Sequence, residues 1–324
     1  MSAHRALLNV RVMSDRCTAF SRGQVWRRAT GLPSRLSRFP QWSGAIALTL
    51  LVLVLGACDQ DEKPAASVYR VAMAPGESAE QLRQRFEPLL EHIGARTGLG
   101  LELVIPDDYA HLLELFRTKQ IDIARFGGLT FVHAHLRHGA VPMVFRDIDV
   151  HFRSYFLTAA DDSGQSLEDF AGTRFAFGSE LSTSGHLMPR YFMMRADITP
   201  ESHFDAITYT GADDRTAQLV RDGTVDLGVA NGAIIDSMFA DGRLSRNDVR
   251  IAWKSPPYPD YVWASQSDLP PAVRDRLMMA FLELDRSDAA HATILAAMNA
   301  GGYLPSRARD FRELFDAAQA LDML

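Results

Sequence analysis

Short apolar strands alternate with helices from residue 68 to residue 254. Runs such as Val68–Met73, Leu101–Ile105 and Arg174–Phe177 are typical of strands, and each is followed by a predicted helix. This alternation predicts β–α–β units, in which a helix returns the chain to a parallel neighbouring strand. We therefore predict an α/β fold built on two open parallel sheets.

The predicted units form two series, which divide near residue 154. Residues 68–153, with about 262–324, are predicted to form lobe 1, and residues 154–261 to form lobe 2. Two facing lobes leave an interlobe ligand cleft between them. Ligands in open α/β sheets bind beyond the carboxyl ends of strands, where helices begin, and this rule selects the candidate binding residues.

The first 57 residues have the pattern of an export signal. Residues 1–41 hold eight arginines and one acidic residue, and Trp42–Ala57 is uncharged and rich in Leu, Val and Ala. That apolar stretch is shorter than the roughly 20 residues of a membrane-spanning helix. Residues 55–57 followed by Cys58 resemble the lipobox of bacterial lipoproteins, whose cysteine is acylated once the leader is removed. A plain transmembrane anchor and a chance cysteine are the alternatives.

Lipidation at Cys58 implies that residues 58–67 form a tether. Asp59 resembles the signal that retains a lipoprotein at the inner membrane. Since Cys17 and Cys58 are the only cysteines, no disulfide is expected even in an oxidising compartment. The predicted location is the periplasm, with a lipid anchor in the inner membrane.

Charge and motif content exclude several classes of function. The net charge of −6 becomes more negative once the arginine-rich leader is removed, which argues against a nucleic-acid partner. The chain has no G-x-S-x-G, Walker or G-x-G-x-x-G motif. Of His133, His135 and His138, only the last two can share a helix face, and no acid stands at zinc-site spacing. We therefore predict no cofactor, no metal and no enzymatic activity.

A hydroxyl-rich run follows the strand Arg174–Phe177 and opens the next helix. Helix N-termini present unpaired N–H groups and a partial positive charge, hydroxyls add donors that rotate to suit, and a glycine lets the backbone approach closely. Such donors suit a tetrahedral oxyanion, and the alternative is an ordinary serine N-cap. The run consists of Ser182, Thr183, Ser184 and Gly185.

Three further candidates lie at strand ends or helix starts. Tyr109 stands in the first turn of a helix, where its hydroxyl can donate into the cleft or merely pack. Arg125 ends a strand, where it can clamp an anion through two hydrogen bonds or pair with a nearby acid such as Asp122. Asp213 can accept a hydrogen bond from a protonated ligand, or cap its own helix.

Five separated segments resemble a known family. The chain from about residue 68 is similar to the phosphate-, phosphite- and phosphonate-binding proteins of ABC importers, and nearest to a subgroup described as binding selenate or other oxyanions. The resemblance implies a two-lobed type II periplasmic binding protein with two hinge strands. The matching segments are residues 108–110, 121–130, 175–179, 182–189 and 256–261.

The resemblance also implies the site. A phosphonyl group would be held by Tyr109, by the aromatic Phe126, by the hydroxyls of Ser182, Thr183 and Ser184, and at the position of Asp213. The predicted ligand-binding set is completed by Arg125, Gly127, Gly185 and Asp260, which fall within the matching segments or beside these residues.

Three positions depart from the family pattern. Phe126 lacks the hydroxyl of a frequent tyrosine, Asp213 replaces a histidine, and Ala233 stands near the position of the acid that binds the amine of aminoethylphosphonate. Aminoalkylphosphonates and a full dianion are therefore disfavoured, because an ionised aspartate repels a dianion. We expect Asp213 to accept a hydrogen bond from a protonated oxyanion or to pair with Arg125.

The predicted function is the capture of a small tetrahedral oxyanion by hinge closure, for delivery to an ABC permease and its ATPase. The protein is expected to act as a monomer on its lipid anchor. A ligand-sensing lipoprotein that feeds a membrane receptor or kinase is the main alternative. An enzyme related to two-lobed transferases and an anchored scaffold protein are further alternatives.

Overall fold

The computed structural model describes residues 67–74 and 79–324. The predicted leader of residues 1–57, Cys58 and all but the last residue of the predicted tether lie outside the described residues. No helix in the two described ranges combines the length and apolar character that crossing a membrane requires.

Between residues 68 and 254, strands occur where the alternation predicts them, with bounds that differ by at most two residues. Two further strands, Val262–Ser265 and Tyr303–Pro305, are not predicted. Val68–Met73, Arg174–Phe177 and Val249–Lys254 have the bounds that the sequence predicts. In chain order the strands are β1 (Val68–Met73), β2 (Gly100–Val104), β3 (Ile123–Phe126), β4 (Val141–Arg146), β5 (Ser154–Ala159), β6 (Arg174–Phe177), β7 (Ala206–Tyr209), β8 (Leu227–Asn231), β9 (Val249–Lys254), β10 (Val262–Ser265) and β11 (Tyr303–Pro305).

The strands form two sheets, which define two lobes. The sheet of the first lobe has the order β11–β4–β10–β3–β1–β2, and that of the second lobe has the order β7–β6–β8–β5–β9. The prediction of purely parallel sheets is wrong. In the first sheet β10 and β11 run antiparallel to their neighbours, and in the second sheet β5 does so. The reason is that β5 and β10 each enter their sheet directly from the other lobe, without a crossover helix to reverse the chain.

Helices connect most of the parallel strands. A π-helical turn, Thr183–Leu187, runs directly into the helix that follows β6. In chain order the helices are α1 (Ala79–Thr97), α2 (Tyr109–Arg117), α3 (Gly128–His138), α4 (Met188–Arg195), α5 (Pro200–His203), α6 (Asp213–Arg221), α7 (Gly232–Ala240), α8 (Pro271–Leu282), α9 (Ala289–Ala297) and α10 (Arg312–Ala320).

The sheet of the first lobe is covered on both faces. Along β1, Val71 and Met73 pack into one apolar cluster, whereas Ala72 between them packs into the other. Trp263 of β10 lies at the centre of the first of these clusters, with its ring 4.8 Å from that of Phe281. Burial on both faces explains why the strands are almost continuously apolar instead of alternating with polar residues.

Two chain segments join the lobes, and they run side by side. Phe152 and Tyr258 exchange backbone hydrogen bonds of 2.9 and 3.0 Å, and the amide of Asp260 donates to the carbonyl of Asp149 at 2.9 Å. The carboxylate of Asp149 forms a buried ion pair with Arg146 at 2.6 Å. The hinge is therefore a paired, well-anchored element at the base of the cleft.

Candidate functional site

Five helical segments begin at the carboxyl ends of strands, next to the space between the lobes. Asp108 caps α2 by accepting from the amide of His111 at 2.7 Å, and Asn231 caps α7 by accepting from that of Ile234 at 3.1 Å. Helices α3 and α6 begin without a side-chain cap. The N–H groups of a helix's first turn need acceptors, so this region favours negative charge.

Contacts between the lobes satisfy two of these N–H groups. The amide of Leu129, in the first turn of α3, donates to Oγ1 of Thr183 in the other lobe at 2.9 Å. The amide of Gly128 donates to Oδ1 of Asp260 at 2.7 Å, and that of Tyr261 donates to the same oxygen at 2.8 Å. Thr183 and Asp260 thus tie the start of α3 to the second lobe and to the hinge.

Gly185 allows close approach of the backbone at this junction, whereas Gly127 leaves room for a methyl group in ordinary van der Waals contact. A methyl group on Gly127 would lie 3.6 Å from Oγ1 of Thr183 and 3.8 Å from Cε1 of Tyr109. A methyl group on Gly185 would lie 3.1 Å from Cα of Gly178, so the neighbouring backbone would have to move. The glycine in the hydroxyl-rich run therefore packs closely against the backbone of Gly178.

The three hydroxyls of the run have different surroundings. Oγ of Ser182 accepts from the amide of Gly185 at 2.9 Å, so Ser182 is the N-cap of the Thr183–Leu187 segment. Thr183 makes the contact with Leu129 described above. Ser184 is 2% exposed, and no group of residues 67–74 and 79–324 hydrogen-bonds its hydroxyl, although its carbonyl accepts from Ser154 at 2.7 Å. Ser184 thus has a hydroxyl without a partner in the described part of the chain.

Tyr109 offers a second hydroxyl of this kind from the first lobe. Its side chain is buried, and its hydroxyl has no hydrogen-bond partner within the described part of the chain. Burial, aided by the charges of Asp213 and Asp260, raises the pKa of Tyr109 well above its ordinary value, so it remains a donor. It lines a cavity of about 690 Å³ together with Ser182 and Asp213 of the second lobe.

Two buried carboxyl groups flank this position. Burial raises the pKa of Asp213 to about 6, and the charge of Asp260 adds to the shift. Burial likewise raises the pKa of Asp260 to about 6, against the opposing effect of the amides that donate to it. Asp213 stands one residue after the N-cap of α6, which is Ala212, and accepts from the amide of Asn231 at 2.8 Å. Both carboxyls can therefore hold a proton near neutral pH.

Arg125 and Phe126 are placed differently from the other candidates. Phe126 is fully buried in the first lobe, with its ring 5.1 Å from that of Phe116. The guanidinium of Arg125 lies 4.0 Å above the ring of Tyr261 and lines a separate interlobe cavity. It forms no ion pair with Asp122 or Asp213 in the described structure, since Asp122 accepts from the amide of Arg70 instead.

Two residues of the site were missed by the sequence analysis. Asn231 donates through Nδ2 to the hydroxyl of Tyr261 at 2.9 Å, and both are buried. Tyr261 has a left-handed backbone with φ of 41°, which is uncommon for an aromatic residue and marks a constrained position. Asn231 ends β8 and caps α7, so the rule that selected the other strand ends would also have found it.

Two mixed α/β lobes, a paired hinge and helix N-termini facing the cleft define a two-lobed periplasmic binding protein. The family model for "ABC transporter, phosphonate, periplasmic substrate-binding protein" matches residues 71–311. The chain belongs to this family of periplasmic phosphonate-binding proteins of ABC transporters.

Curated relatives and solved structures agree with this assignment. A probable ABC transporter phosphite binding protein of Prochlorococcus marinus (strain MIT 9301), PhnD1, is 27% identical over 79% of this chain and 91% of its own length. The phosphate-import protein PhnD of Mycolicibacterium smegmatis is 27% identical over 74% of this chain and 81% of its own length. The structure of PhnD1 in complex with methylphosphonate superposes with a TM-score of 0.75, at 28% identity, over 80% of this chain and 99% of PhnD1.

Proposed function

We propose that this protein captures one small tetrahedral oxyanion of the phosphonate, phosphite, phosphate or selenate class in its interlobe cleft. The observation that carries the proposal is the pair of hydroxyls, Tyr109 and Ser184, that stand on buried side chains of opposite lobes and have no partner in the described structure. Neither oxygen is among the fully buried side-chain atoms that lack a partner, so both remain accessible and can donate to an acceptor. The relatives are described as a probable phosphite binding protein, a phosphate-import protein and a protein in complex with methylphosphonate. These descriptions support the same class of acceptor.

The proposed contacts join the two lobes. Tyr109 would donate from the first lobe, and Ser184 from the second, while the first turns of α3 and of the Thr183–Leu187 segment supply a favourable field. A ligand that contacts both lobes stabilises the closed arrangement over an open one. The contact of Thr183 with Leu129 then contributes to closure without touching the ligand.

Delivery to an ABC permease and its ATPase follows from this mechanism, since the closed, loaded form is the species that docks. The protein would release the same molecule that it binds, and no bond is made or broken. We further propose that the mature protein is a monomer held at the periplasmic side of the inner membrane by lipid on Cys58.

A ligand panel tests the proposal. Methylphosphonate, phosphite, phosphate, selenate and sulfate would be added to the purified protein and its thermal unfolding recorded. A ligand at about 100 times its Kd should stabilise the protein by about 2.7 kcal/mol, and phosphorus NMR should recover a bound phosphonate unchanged. Absence of stabilisation by every member of the panel would reject the proposal, and a chemically altered ligand would favour an enzyme.

Replacing Thr183 by valine should weaken methylphosphonate binding about tenfold. Valine keeps the shape but leaves the amide of Leu129 without its acceptor in the closed form only, at a cost of about 1–3 kcal/mol. Isothermal titration calorimetry measures the change, and Thr183→Ser, which keeps the hydroxyl, is the matched control. Equal affinities for the valine and serine variants would show that this contact does not contribute to closure.

A further inference from the structure

The second interlobe cavity, which Arg125 lines, has a volume of about 490 Å³. It shares Ile234 and Arg243 with the cavity that Tyr109 lines, so the two spaces adjoin. Its volume falls in the usual range for pockets that hold a small organic ligand, and exceeds what a methyl substituent needs. The charged side chains that line it are Arg85, Arg125 and Arg146 from the first lobe, and Asp236 and Arg243 from the second.

Arginines are the main charged residues of this lining. Among the described residues, four arginines and one acid line the cavity, and two of the arginines form ion pairs outside it, Arg146 with Asp149 and Arg243 with Asp241. Asp236 accepts from the hydroxyl of Tyr155 at 2.9 Å. Arg146 is committed to Asp149 and to the carbonyl of Met298, with contacts of 2.6 and 2.7 Å. Arg125 would repel an ammonium group in this cavity and attract an anion.

Arg125 differs from Arg146 because its guanidinium has no hydrogen bond or ion pair within residues 67–74 and 79–324. The residue is only 8% exposed, and its described contacts are with the rings of Tyr261 and Phe86. A buried cation without a carboxylate is unfavourable, and burial lowers the pKa of Arg125 accordingly. Guanidinium groups bind carboxylate and phosphoryl groups through two parallel hydrogen bonds, which would supply the missing partner.

Arg125 also lies beside the proposed oxyanion position, because the cavity that it lines shares Ile234 and Arg243 with the cavity that Tyr109 lines. The hydroxyl of Tyr261, whose ring lies beneath Arg125, accepts a hydrogen bond from Nδ2 of Asn231. The backbone amide of Asn231 in turn donates to Asp213. A ligand held near Tyr109 can therefore extend into the cavity that Arg125 lines.

We propose that the substituent of the captured phosphonate carries a second anionic group, a carboxylate or a phosphoryl group, that binds Arg125. The inference rests on the proposed function, because it assigns the other end of the same ligand. A preference for a second anionic group distinguishes this protein from a binder of simple alkyl- or aminoalkylphosphonates.

Calorimetric titration with four ligands tests the subsite. Phosphonoacetate and 3-phosphonopropionate carry the second anion, methylphosphonate lacks it, and 2-aminoethylphosphonate carries a cation instead. We expect one of the two carboxylated ligands to bind the wild type at least about tenfold more tightly than methylphosphonate does, and the amino compound to bind more weakly still. Pyrophosphate, added to the same series, shows whether a phosphoryl group serves in place of the carboxylate.

Variants at Arg125 then assign the preference to this side chain. In Arg125→Gln, the ratio of the dissociation constant of methylphosphonate to that of the tighter carboxylated ligand should fall to near one. In Arg125→Lys, which keeps the charge but loses the planar guanidinium, this ratio should be intermediate. Arg246→Gln is the matched control, because Arg246 also stacks on a ring, that of Phe239 at 4.1 Å, but is exposed. The melting temperature of ligand-free Arg125→Met should not fall, because no described hydrogen bond is lost.

Each outcome decides between the two proposals. A wild type that binds methylphosphonate but does not prefer a doubly anionic ligand would overturn the subsite alone. A preference that survives in Arg125→Gln would overturn the role of Arg125. Failure of every phosphonate to bind would remove the proposed function, and the subsite with it.

Discussion

Methylphosphonate should bind at least about a hundredfold more weakly to the double variant Tyr109→Phe/Ser184→Ala than to the wild type. Each hydroxyl that donates to an anion contributes about 1.5–3 kcal/mol, and 1.4 kcal/mol is a factor of ten in affinity. Neither hydroxyl has a protein partner in the described structure, so the ligand-free variant should unfold with nearly the wild-type free energy. Calorimetric titration and thermal denaturation measure the two quantities.

A matched control is available in the first lobe. Tyr303 and Ser306 have hydroxyls that are fully buried and without a partner in the described structure, and they lie outside the proposed contacts of the phosphonyl group. The double variant Tyr303→Phe/Ser306→Ala should bind methylphosphonate like the wild type. If both double variants bound equally well, the assignment of Tyr109 and Ser184 to the ligand would be wrong.

The second large effect concerns the proton on Asp213. An anion next to Asp213 favours its protonated form, and burial already raises its pKa to about 6. As pH rises above this pKa, the proton must be taken up on binding, so affinity falls by about tenfold per pH unit. Binding of a phosphonate by the wild type should therefore weaken by about fiftyfold between about pH 6 and pH 8, beyond any effect of the ligand's own ionisation.

Asp213→Asn separates this effect from the ligand's titration. Asparagine keeps an oxygen to accept from the amide of Asn231 but has no proton to lose. The two proteins should bind the same ligand with similar affinity near pH 5.5, and the variant should bind about a hundredfold more tightly near pH 8. A ratio of affinities that stays constant over this range would show that Asp213 carries no proton in the complex.

The sequence predicts the elements of the fold well, because burial on both faces of the first sheet leaves runs such as Val68–Met73 with few polar residues. It does not predict the direction of β5 and β10. Strand direction depends on where the preceding residue lies in space, and both strands follow hinge segments that return from the other lobe. The proline-rich stretch before β10 predicts an irregular segment but carries no information about which lobe it leads to.

The candidate site shows the same limit at the level of single residues. The hydroxyl-rich run is found by residue type and position, but the sequence cannot say that Ser182 is used as a cap while Ser184 is not. Arg125 was expected to clamp an anion or pair with an acid, and it pairs with no acid of the described residues. Its role depends on the ring of Tyr261, which is 136 residues further along the chain in sequence and 4.0 Å away in space.

The most direct measurement is a crystal structure of the protein with methylphosphonate. The phosphonyl oxygens should lie between the lobes, within about 2.5–3.0 Å of the hydroxyls of Tyr109 and Ser184. An anion bound away from these two groups, or a Ser184 hydroxyl that still lacks an acceptor in the complex, would contradict it.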